Sequence, residues 1–190
     1  MNKFQNPNIT FISRDEFLAN FKQAFDGIFS GLEVEKESFK NRLWQIIPVP
    51  YGLDLRNEDY HGFECACKHI GDMDLNITGI ESVPPHLDSF KFPLTQSNLR
   101  DVWCNSMLGH IDCAAFGKTG KWGAMFSVEG FGLIGGESSF IQNLESKLGG
   151  KSEVEKTFIS FANEIWGASK EFKDKTLNSF GWLSEKKGAA

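Results

Sequence analysis

Apolar residues change their spacing twice along this 190-residue chain, and that change restricts the fold more than any single motif does. Near the start, Phe17, Leu18, Phe21, Ala24, Phe25, Ile28 and Phe29 recur at helical spacing behind a capping-box pair, Ser13 and Glu16. The pattern predicts a helix over about 14–30, with Gly31 as its stop. A second helix is expected over about 35–46, with Phe39, Leu43, Ile46 and Ile47 on one side and Pro48 and Pro50 ending it. Residues 58–70 also read as helix, because Tyr60, Phe63, Cys67 and Ile70 do not alternate as a strand would require.

From Asp74 the texture becomes β-prone, over about 74–135. The runs are Leu75–Ile80, Phe90–Leu94, Ile111–Phe116, Ala124–Val128 and Phe131–Ile134, with one short helix around Leu99, Val102, Trp103 and Met107. Helical spacing then returns over about 138–148 (Phe140, Ile141, Leu144, Leu148), closed by Gly149-Gly150. A further helix over about 153–167 opens on Ser152 and Glu155, and the tail around Leu177, Phe180, Trp182 and Leu183 reads as a docked final turn. Helices, then strands, then helices again specify an α+β protein: a mainly antiparallel sheet flanked by N-terminal and C-terminal amphipathic helices. No fixed-period repeat and no Pro-, Gly- or Ser-rich linker divides residues 1–190, so one domain is expected.

Eighteen Phe stand against only two Tyr. Phe brings a large apolar area with no polar handle, so this excess describes a core. The scarcity of Tyr weighs against an extensive partner-binding surface, which favours Tyr and Trp. No window approaches the roughly 18 consecutive apolar residues of a membrane span. The first residues lack the apolar stretch of a secretion signal, so a cytoplasmic chain is expected, with the four cysteines (65, 67, 104 and 113) as free thiols.

Charge is uneven. The net charge is −5, and residues 54–81 alone carry seven acids against Arg56 and Lys68. Such a segment repels nucleic acid and attracts a basic partner. The helices' polar faces also lack the Lys/Arg bias of membrane-surface helices, so neither a nucleic acid nor a membrane is expected as partner. The candidate partner-facing residues are Asp54, Glu58, Asp59, Tyr60, Glu64, Asp72 and Asp74, with Tyr60 or an exposed Phe as the apolar anchor.

Several motifs invite a catalytic or cofactor reading. Gly130-Phe131-Gly132-Leu133-Ile134-Gly135 matches G-x-G-x-x-G, but its intervening residues are bulky and too little chain follows for a doubly wound sheet. A tight turn at Glu129-Gly130 followed by a buried strand accounts for the same residues. Gly117-Lys118-Thr119 fails as a phosphate loop because position 112 is Asp112; Lys118-Thr119-Gly120 reads as a hairpin turn. Cys65, Cys67 and His69 cannot converge on a metal if they lie on a helix, where residues two apart point to nearly opposite faces. His110 and Asp112 share one face of a predicted strand, with no further ligand placed beside them. No cofactor, metal or catalytic residue is assigned.

Two functions of different class follow. The first is a non-catalytic domain that binds another protein. The general profile is similar to that of bacterial immunity proteins, small and often acidic α+β domains that neutralise a toxin by direct binding; that similarity implies a basic toxin domain as partner. The alternative is an enzyme with a dispersed site, using His110, Asp112 or the Cys65/Cys67/His69 group, with or without a metal.

Overall fold

The computed structural model of the chain describes residues 6–80 and 88–182. Seven strands form one antiparallel sheet: β1 (Thr10–Ile12), β2 (Gln45–Pro50), β3 (Asp74–Gly79), β4 (Ser89–Pro93), β5 (Cys113–Phe116), β6 (Trp122–Phe126) and β7 (Phe131–Gly136). Their order is β1-β4-β3-β5-β6-β7-β2. Seven α-helices accompany them: α1 (Arg14–Asn20), α2 (Lys22–Ile28), α3 (Asn57–His69), α4 (Gln96–Asn105), α5 (Ser138–Lys147), α6 (Lys151–Ile165) and α7 (Lys170–Ser179). The fold is α+β, as the change in spacing specifies.

Alternation along the strands divides the apolar residues between two faces. Cys113, Ala115, Trp122, Ala124, Phe126 and Ile134 meet Phe63 of α3, Leu99 and Val102 of α4, and Phe140 and Leu144 of α5. Ala114, Phe116, Met125, Phe131 and Leu133 meet Phe17 of α1, Phe25 and Ile28 of α2, and Phe158 and Phe161 of α6. Every residue of β5, β6 and β7 is therefore buried.

Glycine makes that double burial possible. A Cβ on Gly123 of β6 would lie 2.5 Å from Ile28 and 2.8 Å from the Phe29 ring. On β7, a Cβ at Gly132, Gly135 or Gly136 would lie 2.6–2.8 Å from the rings of Phe126, Phe39 and Phe140 respectively. Two of these glycines belong to the G-x-G-x-x-G match. They seat phenyl rings, and Gly130 (φ +82°) makes the turn before the strand.

The largest departure from expectation is residues 35–46. Only Lys36–Ser38 form a single 3-10 turn, and the chain then becomes β2. Phe39 packs inward against Phe29, whereas Leu43 is 90% exposed, so their helical spacing marks no common face. Pro48 and Pro50 do not end a helix; they sit in β2, which pairs only with β7, and an edge strand tolerates the missing N–H. The first predicted helix is two, broken at Phe21, and α2 ends at Ile28, before Gly31. Ser13 caps α1 as anticipated, accepting from the Glu16 N–H at 3.2 Å. Gly150 (φ +91°), not Ser152, precedes α6. The docked tail is a full helix, α7, while Leu183 lies outside the described residues.

One buried carboxylate ties the layers together. Asp72, 1% exposed in the turn before β3, accepts from the Thr119 backbone N–H (3.2 Å), the Thr119 hydroxyl (2.6 Å) and the Trp122 Nε1–H (2.9 Å). The β5–β6 hairpin turn is thereby fixed to the end of α3. Gly117 leaves room for it: a Cβ there would stand 2.0 Å from Asp72 Oδ2. Asp72→Ala orphans three donors and is expected to cost about 2–4 kcal/mol in urea unfolding. Gly117→Ala should cost a comparable amount by displacing the same carboxylate, and the double variant should fall well short of the sum.

Candidate functional site

The chain leaves the sheet after Pro50 through two consecutive left-handed residues, Tyr51 (φ +65°) and Gly52 (φ +54°). Tyr51 is the one non-glycine residue with positive φ among the described residues. That conformation crowds Cβ against the backbone and costs on the order of 1–2 kcal/mol. Tyr51 as a residue is nevertheless 36% exposed. The ring is held from two sides. Phe161 of α6 meets it edge-on at 5.2 Å, and the Arg56 guanidinium lies over it at 5.0 Å.

Arg56 is itself anchored. Its Nε–H donates to Asp59 Oδ2 at 3.0 Å across the first turn of α3. Burial pushes the Asp59 carboxyl above the ordinary carboxylate range, against the opposing hydrogen bond and charge of Arg56. Glu58 and Asp59 also place negative charge at the N-terminus of α3, which the helix dipole favours.

Two clefts flank this loop. One, about 330 Å³, runs to the start of α4 and is lined by Asp54, Arg56, Glu58, Leu99 and Arg100 among others. The second, about 380 Å³, runs to the α5–α6 turn and is lined by Pro50, Arg56, Glu58, Lys147 and Glu153. Arg56 and Glu58 line both, so they form the ridge between them.

The seven predicted partner-facing residues do not form one surface. Asp54, half-buried, and Glu58, exposed, stand at the loop and carry no ion pair among the described residues. Glu64 pairs with Lys68 on α3 at 2.9 Å, and Asp74 faces Lys91 of β4 at 3.7 Å. Asp59, Tyr60 and Asp72 are buried and leave the partner-facing set. Tyr60 packs into the core beneath α3, where burial and the charge of Glu64 raise its hydroxyl far above the usual value. Glu81, the last acid of the segment, lies outside the described residues. Tyr51 and Arg56, which organise the loop, were not among the candidates.

The remaining candidates diverge. On α3, Cys67 is fully buried and its thiol is pushed well above its usual value, chiefly by that burial, so it stays protonated. Cys65 faces outward, its sulfur 3.7 Å from His61 Nε2. His110 and Asp112 precede β5 rather than lying within it, and Asp112 accepts from the Val128 N–H at 2.8 Å, which joins neighbouring turns. Lys118-Thr119-Gly120 is the expected hairpin turn, with Gly120 at φ +66°. Among the described residues, no group of three or more His, Cys, Asp or Glu is arranged to hold a metal ion. None of the described helices is long and apolar enough to cross a membrane.

Neither a protein-family model, nor a curated protein, nor a solved structure matches this chain.

The raised pKa of Asp59 fixes the sign of a pH effect. The folded protein holds that proton more tightly than the unfolded chain, so ionisation costs stability. The cost is absent in acid and appears as pH rises from the ordinary carboxylate value through the raised one. Asp59→Asn never incurs it. The variant should therefore gain in urea midpoint relative to the wild type as pH rises through that window, with the gap levelling off above the raised value.

Proposed function

We propose that this chain is a non-catalytic protein-binding domain, of the kind by which immunity proteins neutralise a toxin, and that the β2–α3 loop faces a basic partner. The observation that carries this reading is Tyr51. A bulky residue is kept in a strained backbone conformation that glycine would adopt freely, with its ring exposed and braced by Phe161 and Arg56. Packing alone does not require an aromatic ring there. A rigid, half-exposed Tyr is instead what a binding hot spot uses, because little entropy is lost when it is covered.

The charge around it supports a cationic partner. Arg56 is neutralised by Asp59, which leaves Asp54 and Glu58 as the unpaired charges nearest the ring. Arg100 lines one cleft, and Lys147 lines the other beside Glu153, so Asp54 and Glu58 stand as acids between flanking basic groups. Opposed charge of this kind speeds encounter and orients it, while the buried aromatic supplies affinity.

The test separates binding from stability. Tyr51→Gly relieves the backbone strain and deletes the ring, so stability should stay within about 1 kcal/mol of the wild type. Retention of the partner from native-cell extract, followed by quantitative mass spectrometry, should fall roughly tenfold or more. The Asp54→Lys/Glu58→Lys double variant should lose retention while giving up only about 1 kcal/mol of stability, the cost of reversing charge in the first turn of α3. Undiminished capture by either variant would remove this loop as the binding surface.

A further inference from the structure

A separate concavity of about 330 Å³ opens at the beginning of β2, away from the Tyr51 ridge. Its walls carry Trp44, Ile46, Phe180 and Trp182, and its rim carries Lys36 and Lys151 opposite Glu145. The size falls at the lower end of small-molecule sites, which are lined mainly by apolar and aromatic groups with a few polar ones.

Two of the lining residues are tryptophans covered less completely than those of the core. Trp122 and Trp166 are buried, and each indole N–H has its acceptor: Asp72 Oδ2 at 2.9 Å and Glu129 O at 3.0 Å. Trp44 and Trp182 are only half-buried, and neither indole N–H has an acceptor among the described residues. Two incompletely covered indoles therefore line one concavity together with charged side chains.

One wall is also pre-set. Phe180 and Trp182 are stacked at 5.0 Å and 30°. Lys36 locks them to the body of the protein, with its Nζ 4.4 Å from the Phe180 ring centre and donating to the Ser179 carbonyl at 2.7 Å. Lys151 at the start of α6 has no ion pair among the described residues. Two lysines against one glutamate give the cleft a local excess of positive charge in a chain whose net charge is −5.

From this combination we infer that the cleft binds a small planar carboxylate, an aromatic ring bearing an acidic group. The ring lies against Trp44 and Trp182, and the carboxylate is directed to Lys151. The ring accounts for the aromatic lining and the acid for the free ammonium. A neutral ring would leave the charge unanswered, and a simple anion would leave the walls wet. This site does not depend on the partner assigned to the Tyr51 ridge, because no ridge residue lines it.

Isothermal titration with indole-3-acetate and its neutral counterpart indole-3-acetamide tests the assignment on the full chain. The acid is expected to bind saturably at one site per chain with Kd below about 1 mM, and the amide at least about fivefold more weakly. Lys151→Ala, an exposed position that leaves the fold intact, should weaken the acid about fivefold and leave the amide unchanged. Trp44→Ala should weaken both. Absence of saturable binding by the acid, equal affinity for acid and amide, or an acid affinity indifferent to Lys151→Ala would overturn the proposal.

Discussion

A phenyl ring seated over a glycine is the contact on which the rest of this structure depends. The central strands β5, β6 and β7 are covered on both faces, so each residue must be apolar or small, and bulk at one position must meet a hollow at its neighbour. Phe39, Phe126 and Phe140 each occupy the space a side chain would take on Gly135, Gly132 and Gly136, and Ile28 and Phe29 do the same over Gly123. The match is steric, and it explains why the phenylalanine excess comes with glycine inside strands, where glycine is ordinarily unfavourable. It also exiles chemistry from the middle of the sheet. Any surface that meets another molecule has to be built from connections and edges, which is where the strained Tyr51 loop and the Trp44 cleft stand.

The elements legible in the amino-acid sequence are those whose apolar spacing coincides with a real face. α3, α5 and α6 qualify, because Phe63, Phe140, Leu144 and Phe158 do pack as their periodicity implies. So do the turns at Gly120 and Gly130, where the backbone needs a positive φ that glycine supplies. Residues 35–46 misled because Phe39 is buried by a local bridge to Phe29 while Leu43 points to solvent, so a shared spacing concealed opposite fates. β1 is three residues long and exposes two of them, too little pattern to register.

The candidate site divides in the same way. Asp54 and Glu58 were legible as charge. The burial of Asp72 was not, because its partners Thr119 and Trp122 lie 47 and 50 residues away, on a hairpin whose approach to α3 is a tertiary event. Asp59 was misplaced for a local reason: it is buried in the first turn of α3, where the exposed Arg56 pairs with it and covers Tyr51, and charge counting along a chain does not see orientation. Tyr51 itself carries no sequence mark, since a positive φ at a tyrosine arises only when the surroundings impose it.

The strand order has a consequence for how the chain reaches this state. β1 and β2, both from the first 50 residues, occupy opposite edges of the sheet, while the strands between them all come later. β2 finds its only neighbour, β7, more than 80 residues downstream, and β1 finds β4 nearly 80 residues downstream. During synthesis the helices α1 and α2, with Phe17, Phe21, Phe25 and Phe29 in and beside them, emerge with no sheet to cover them. Their apolar faces must wait for β5 to β7, so early folding is governed by distant closure rather than local contacts. That interval is when aggregation competes most strongly. A ribosome-stalled fragment ending before β5 should therefore be a client for chaperones, and the proteins that greet it would differ from any partner of the finished fold.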